Sequence, residues 1–159
     1  GLILNDQNNN KISSSEIREN LKAGKIELAN KDLKRNFCVA GKVIKGDQRG
    51  RTIGIPTANL EYPLNTITIP YGVYAVETII EGNTYFGIVN FGIRPTFNKD
   101  KPIVEAYLFD FDNDIYDKDI EILFHKQIRQ EKKFNDIKEL LNQINIDIAE
   151  AKKILKYGN

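Results

Sequence analysis

Residues 41–59 combine recurrent glycine, basic side chains and hard neutral oxygens, a mixture suited to holding a phosphate and its metal. Gly41, Gly46, Gly50 and Gly54 recur among Lys42, Lys45, Arg49 and Arg51. Glycines let backbone amides approach an anion closely, and the cations supply countercharge. The stretch closes on Pro56-Thr57-Ala58-Asn59. Pro56 biases Ile55 toward extended backbone. In an extended chain Thr57 and Asn59 share a face, presenting a hydroxyl and a carboxamide oxygen. Mg2+ prefers oxygen ligands and commonly shares its shell with substrate phosphates. Neutral protein ligands leave the charge balance to those phosphates, which suits a metal arriving with a nucleotide. A glycine-rich loop that simply enters a strand is the competing reading. The pattern is not a Walker A loop, because Asp47 rather than Lys follows Gly46, and it holds no Gly-x-Gly-x-x-Gly.

Glu105 is the second candidate. In an extended run over 103–111, Ile103, Glu105, Tyr107, Phe109 and Phe111 share one face. A carboxylate among apolar and aromatic neighbours is costly to bury unpaired. It is either a positioned general base or a strand-end glutamate paired with a lysine such as Lys101. Cys38 and His125 are single representatives of their types, so a zinc cluster and an internal disulfide are excluded. Cys38 lies among Phe37, Val39 and Ala40 and reads as a buried structural thiol. His125 closes the apolar run Ile120–Phe124 and reads as a strand-end residue.

The elements that must position these residues divide into three parts. The first ten residues are polar and Asn-rich, and read as linker or disordered chain. Ser13 with Glu16 forms a capping-box pattern that starts a short helix, with Ile17, Leu21 and Ala23 on its apolar side. A second short helix is expected over Ile26–Leu33. From Phe37 the signal is strand-like: Phe37–Ile44, Thr66–Ile69, Val73–Ile80, Thr84–Val89, Val104–Phe109 and Asp119–Phe124. Glu81-Gly82-Asn83 and Asp112-Asn113-Asp114 read as hairpin turns. Short strands without intervening helices predict a closed or nearly closed antiparallel barrel. After Phe134 the period is helical, with Ile137, Leu140, Leu141 and Ile144 as a core stripe. Asp147, with Glu150 three residues on, reads as the N-cap of a last helix through Leu155.

A chain of 159 residues fits one domain and a short appendage. Its formal net charge of +1 gives no general affinity for nucleic acid. No apolar run reaches membrane-spanning length, and a lone cysteine fits a reducing, cytoplasmic setting. The chain opens on Gly1 and holds no methionine, which suggests a piece of a longer protein.

Taken together with segments further along, the pattern resembles the riboflavin kinases. The residues that carry it are Gly41-Lys-Val-Ile-Lys-Gly46, Gly50-Arg51, Gly54-Ile-Pro-Thr-Ala-Asn59, Pro70-Tyr-Gly-Val-Tyr74, Asn90-Phe-Gly-Ile-Arg-Pro-Thr-Phe97, Val104-Glu105 and Arg129-Gln-Glu-Lys-Lys-Phe134. The resemblance is to the C-terminal module of bacterial bifunctional riboflavin kinase/FAD synthetases. It implies a six-stranded antiparallel Greek-key barrel, mainly β, with C-terminal helices and short N-terminal helices. It implies ATP and riboflavin as substrates, FMN as product and Mg2+ as cofactor. It assigns Glu105 as catalytic base, Thr57 and Asn59 as metal ligands, and Gly46, Arg51 and Gly54 to ATP. Arg129 and Phe134 fall near the flavin ring. Two positions depart from many members: Tyr107 stands where they have His, and Gln130 where they have Pro.

Upstream, Ile12-Ser-Ser-Ser-Glu-Ile-Arg18 resembles the end of the adenylyltransferase domain of the same enzymes. That domain uses a His-x-Gly-His element, which this sequence lacks. Residues 1–35 are therefore expected to be the linker and helical tail of a missing adenylyltransferase domain, and 36–159 the kinase domain, without an FAD-forming site. The expected partners are small molecules and that domain, with neither nucleic acid nor membrane. The alternative is a non-catalytic barrel that binds flavin or nucleic acid.

Overall fold

The computed structural model describes residues 3–5, 11–45, 57–95, 100–111 and 113–158. Two short strands, β1 (Ile3–Asn5) and β2 (Lys11–Ser13), pair antiparallel and lead into α1 (Ser14–Lys22) and α2 (Ile26–Leu33). Part of the stretch expected as linker is thus a paired strand. The helices fall where the capping pattern and periodicity place them. Ile17 and Leu21 are buried as expected, whereas Ala23 follows the helix end and is exposed.

Six strands then close into an antiparallel barrel: β3 (Phe37–Ile44), β4 (Ala58–Glu61), β5 (Gly72–Ile80), β6 (Asn83–Pro95), β7 (Asp100–Leu108) and β8 (Asp119–Gln130). Their order around the barrel is β3-β4-β7-β6-β5-β8. Strands β5, β6 and β7 follow one another, and β8 returns beside β5, which is the Greek-key arrangement. Alternation sends Tyr74, Val76, Val89, Phe91, Val104 and Phe124 inward. Helix residues Ile17, Leu21, Ile26 and Ala29 belong to the same core. Asn30 fastens α2 to the barrel, donating to the Phe124 carbonyl at 2.8 Å and accepting from the Phe37 amide at 2.7 Å.

The β5–β6 connection is the expected tight turn. Glu81 (φ 51°) and Gly82 (φ 82°) both take positive φ, as the turns that match strand twist require. The Asp112–Asp114 segment is not a hairpin. It joins β7 to β8, which are not neighbours in the barrel; Asp112 itself lies outside the described residues. Nor is Thr66–Ile69 a strand. Asn65 turns the chain at φ 66°, and the Tyr62 hydroxyl donates to the Ile67 carbonyl in place of a ladder. The missing strand is Ala58–Glu61, which pairs with β3 and β7. Strands β6 and β8 also run further than their apolar stretches suggested, because polar residues alternate on a half-exposed outer face.

One continuous helix, α3 (Ile137–Leu155), covers part of that outer face. Its N-cap is Asp136, which accepts from the Glu139 amide at 2.8 Å, and the Glu139 side chain accepts from the Asn135 amide at 3.1 Å. The cap expected at Asp147 is corrected: Asp147 is a mid-helix residue and is 1% exposed. The packed face also shifts along the helix. Ala151 is buried with Val73, Ala75, Ile88 and Phe109, whereas Ile137 is 58% exposed.

Candidate active site

Strand register brings three of the candidate residues, Asn59, Glu105 and Arg129, into one row across the barrel's outer face. Asn59 on β4 is directly opposite Glu105 on β7. Glu105 is opposite Asn90 on β6, Asn90 opposite Val73 on β5, and Val73 opposite Arg129 on β8. Four steps at about 4.8 Å per strand carry the row across roughly 19 Å. Its outward direction follows from the neighbours, since Leu60, Val104 and Val89 point into the core. Asn59 is only 9% exposed. The Asn90 Oδ1 atom is buried and has no hydrogen-bond partner among the described residues.

Glu105 is neither isolated on an apolar face nor paired with Lys101. Lys101 binds Glu61 at 3.1 Å. Arg94 Nε instead donates to Glu105 Oε1 at 2.7 Å, and Arg94 Nη1 donates to Glu131 Oε1 at 3.1 Å. Burial opposes the Arg94 charge, but Glu105 and then Glu131 outweigh it and hold the guanidinium above its usual range. Arg94 thus remains a cation between two carboxylates. Sequence reasoning gave Asn90 and Arg94 no role. Their signal was the spacing of Asn90, Gly92 and Arg94, which places all three on one strand face.

Thr57 directly precedes β4 and is half-buried. Ala58 and Leu60 pack into the core, so Asn59 faces away from it. Gly46, Arg51 and Gly54, expected to hold ATP, lie outside the described residues. The neighbouring Lys42 and Lys45 are already engaged. Lys42 donates to the Asp117 carbonyl at 3.2 Å and pairs with Asp119 at 3.7 Å. Lys45 sits 5.3 Å from the Tyr116 ring centroid. Gly41 serves packing, because a Cβ there would meet Leu60 Cδ1 at 2.7 Å.

Arg129 ends the row and is anchored to α3. Its Nε donates to both Asp147 oxygens at 3.0 Å, and Nη2 lies 2.9 Å from Oδ2. Gln143 adds a hydrogen bond to Asp147 at 3.0 Å. The Arg129 guanidinium carbon is 5.7 Å from the Phe134 ring centroid, and Lys132 Nζ is at the same distance. Arg129 and Phe134 therefore adjoin, next to the segment that follows β8.

Cys38 and His125 form no catalytic pair. Cys38 lies on the outer face and is exposed rather than a core residue; the partial cover over its thiol and then the Glu121 charge push its pKa up, away from thiolate. His125 lies within β8 rather than at its end, with Nε2 3.3 Å from Glu77 and 3.1 Å from Asn36.

The donor chemistry fits a hard divalent cation carried by a nucleotide. Thr57 and Asn59 offer neutral oxygens, and Asn59 stands opposite an acidic residue, Glu105. No group of three or more His, Cys, Asp or Glu suited to a metal occurs among the described residues. Charge balance in such a site rests on phosphates.

The riboflavin kinase (flavokinase) family model matches residues 33–155. The bifunctional riboflavin kinase/FMN adenylyltransferase of Bacillus subtilis is 48% identical over 144 residues, covering 89% of this chain and 46% of that protein. The chain spans about half the length of the curated relatives it matches. A solved structure described as a macrolide-efflux protein from Streptococcus pneumoniae superposes with a TM-score of 0.81 at 34% identity, covering 91% of this chain and 47% of that one. No helix among the described residues is long and apolar enough to cross a membrane. The riboflavin kinase of Trypanosoma brucei shares the fold, with a TM-score of 0.54 at 20% identity over 76% of this chain and 80% of its own. A family match that runs from the barrel into α3, joined to close identity with a bacterial relative, establishes that this chain belongs to the riboflavin kinase family.

Proposed function

We propose that this chain transfers the γ-phosphate of ATP to the ribityl 5′-hydroxyl of riboflavin, giving FMN and ADP. The observation that carries this reading is the placement of Glu105 directly opposite Asn59, in the row that ends at Arg129. Glu105 takes the proton of the 5′-hydroxyl as its oxygen attacks the γ-phosphorus. The bond to the β–γ bridging oxygen breaks, and ADP leaves. Such a reaction needs mainly positioning and charge stabilisation. Thr57 and Asn59 would hold Mg2+, which neutralises phosphate charge when bound. Gly46, Arg51 and Gly54 would hold the phosphates. Arg129 and Phe134 would flank the flavin, with Asp147 fixing Arg129 so that its guanidinium stays in place.

In this reading residues 1–35 are the tail of an adenylyltransferase-type domain docked on a kinase domain over 36–159, the chain makes FMN and not FAD, and it works in the cytoplasm. The test is chromatographic analysis after incubation of the purified chain with riboflavin, ATP and Mg2+. FMN without FAD is the expected product. Riboflavin that is bound but left unphosphorylated would support a flavin-binding module instead.

A further inference from the structure

We infer that Arg94 is a positioning residue that orients the Glu105 carboxylate and ties it to Glu131, at the start of the segment between β8 and α3. This rests on the proposed role of Glu105 as base. One planar guanidinium makes three contacts: Nε to Glu105 Oε1 at 2.7 Å, Nη1 to Glu131 Oε1 at 3.1 Å, and Nη1 to the Ile93 carbonyl at 2.9 Å. Glu105 Oε1 is thereby occupied. Arg94 does not engage Oε2, and this second oxygen receives the proton in the proposed reaction.

The backbone is arranged around this bridge. Gly92 lies on the outer face of β6 between Asn90 and Arg94. A Cβ at Gly92 would stand 1.9 Å from Glu131 Oε1 and 2.6 Å from Arg94 Nη1. The bridge therefore fills the space that any other residue's side chain would take. A strand-interior glycine weakens a sheet, and it often marks a close approach of this kind.

Stability is a weak reason for the arrangement. The Arg94, Glu105 and Glu131 side chains are 27%, 26% and 37% exposed, and partly solvated ion pairs contribute little. Geometry is the stronger reason. When Glu105 accepts the proton it loses its charge, and its hold on Arg94 weakens. Glu131 keeps its charge through that step. It holds the guanidinium in place and keeps it from swinging toward the substrate phosphates. Arginine suits the role because its rigid fork addresses two carboxylates at once, which a lysine ammonium on a flexible stem does not.

The test compares Arg94→Ala, Arg94→Lys, Gly92→Ala and Glu105→Gln, and the double variant of Glu105→Gln with Arg94→Ala. Turnover is read together with riboflavin and Mg-ATP binding and with thermal unfolding. Arg94→Ala should lower kcat by about 10²-fold, the scale of a misplaced catalytic group, with KM for both substrates near parental. Added methylguanidinium should restore part of that loss. Arg94→Lys should recover no more than about tenfold in kcat, half of that loss on a logarithmic scale. Gly92→Ala should fold, because the clash is with movable side-chain ends, yet lose kcat as Glu131 is displaced. In the Glu105→Gln background, Arg94→Ala should add little. Two results overturn the inference alone: an effect of Arg94→Ala confined to KM, or its full cost persisting in the Glu105→Gln background. Parental turnover in Glu105→Gln would instead overturn the base assignment, and this inference with it.

Discussion

Asn59 and Glu105 stand directly opposite each other on β4 and β7, although more than half of the barrel's strand residues separate them along the chain. Directly opposed residues on one sheet face have Cβ atoms about 4.5–5.5 Å apart. A carboxamide and a carboxylate are thereby held side by side on rigid backbone, and in the proposed reaction the metal-bearing nucleotide and the acceptor hydroxyl would meet between them.

The first prediction tests the ligand side of this pair. Thr57→Ala and Asn59→Ala should each weaken Mg-ATP binding by at least about tenfold. The fold should be retained, since neither side chain belongs to the barrel core. Calorimetric titration of ATP with and without Mg2+ checks it. Unchanged Mg-dependence in both variants would remove them as ligands.

How much was legible in the sequence depended on whether local pattern or long-range pairing decided the outcome. The closed antiparallel barrel, α2 and the Glu81-Gly82 turn follow from alternation, periodicity and turn chemistry, and all three are present, whereas the Greek-key order was implied only by the family resemblance. Asp136-Ile-Lys-Glu139 and Asp147-Ile-Ala-Glu150 share one capping pattern, and only the first is a cap. What distinguishes them is Arg129, which draws Asp147 into the interface between β8 and α3. No local signal carries that information. Thr66–Ile69 alternates like a strand, but Asn65 and the Tyr62 hydroxyl give its backbone another solution. Glu105 was legible as a candidate because it is a carboxylate among apolar residues. Its partner Arg94 was not, because the pair forms only when β6 and β7 come into register.

The second prediction ranks the two aspartates. Asp147→Ala should cost about 3–5 kcal/mol, because it leaves the Arg129 guanidinium unpaired in a largely buried site. Asp136→Ala should cost about 1 kcal/mol, the usual worth of an N-cap. Denaturant unfolding of the two variants checks the order. Equal losses would contradict the anchoring role given to Asp147.

The third prediction concerns Thr78, which is fully buried on the interior-facing register of β5. Its Oγ1 has no hydrogen-bond partner among the described residues. Thr78→Val keeps the shape and removes the unpaired hydroxyl, so it should stabilise the barrel by about 1–2 kcal/mol. Thermal and denaturant unfolding read this directly. A destabilised Thr78→Val would mean that the hydroxyl has a partner that matters.

The fourth prediction addresses the chemistry at Glu105. Glutamine keeps the size of the side chain and an oxygen that can still accept from Arg94 Nε, but it cannot serve as the base. Single-turnover formation of FMN by Glu105→Gln, with riboflavin binding followed by fluorescence quenching on the same sample, is the most direct measurement. The rate should fall by about 10²–10⁴-fold, the usual effect of losing a positioned general base, while riboflavin and Mg-ATP still bind. Near-parental turnover with binding intact would contradict the account and return Glu105 to a structural role beside Arg94.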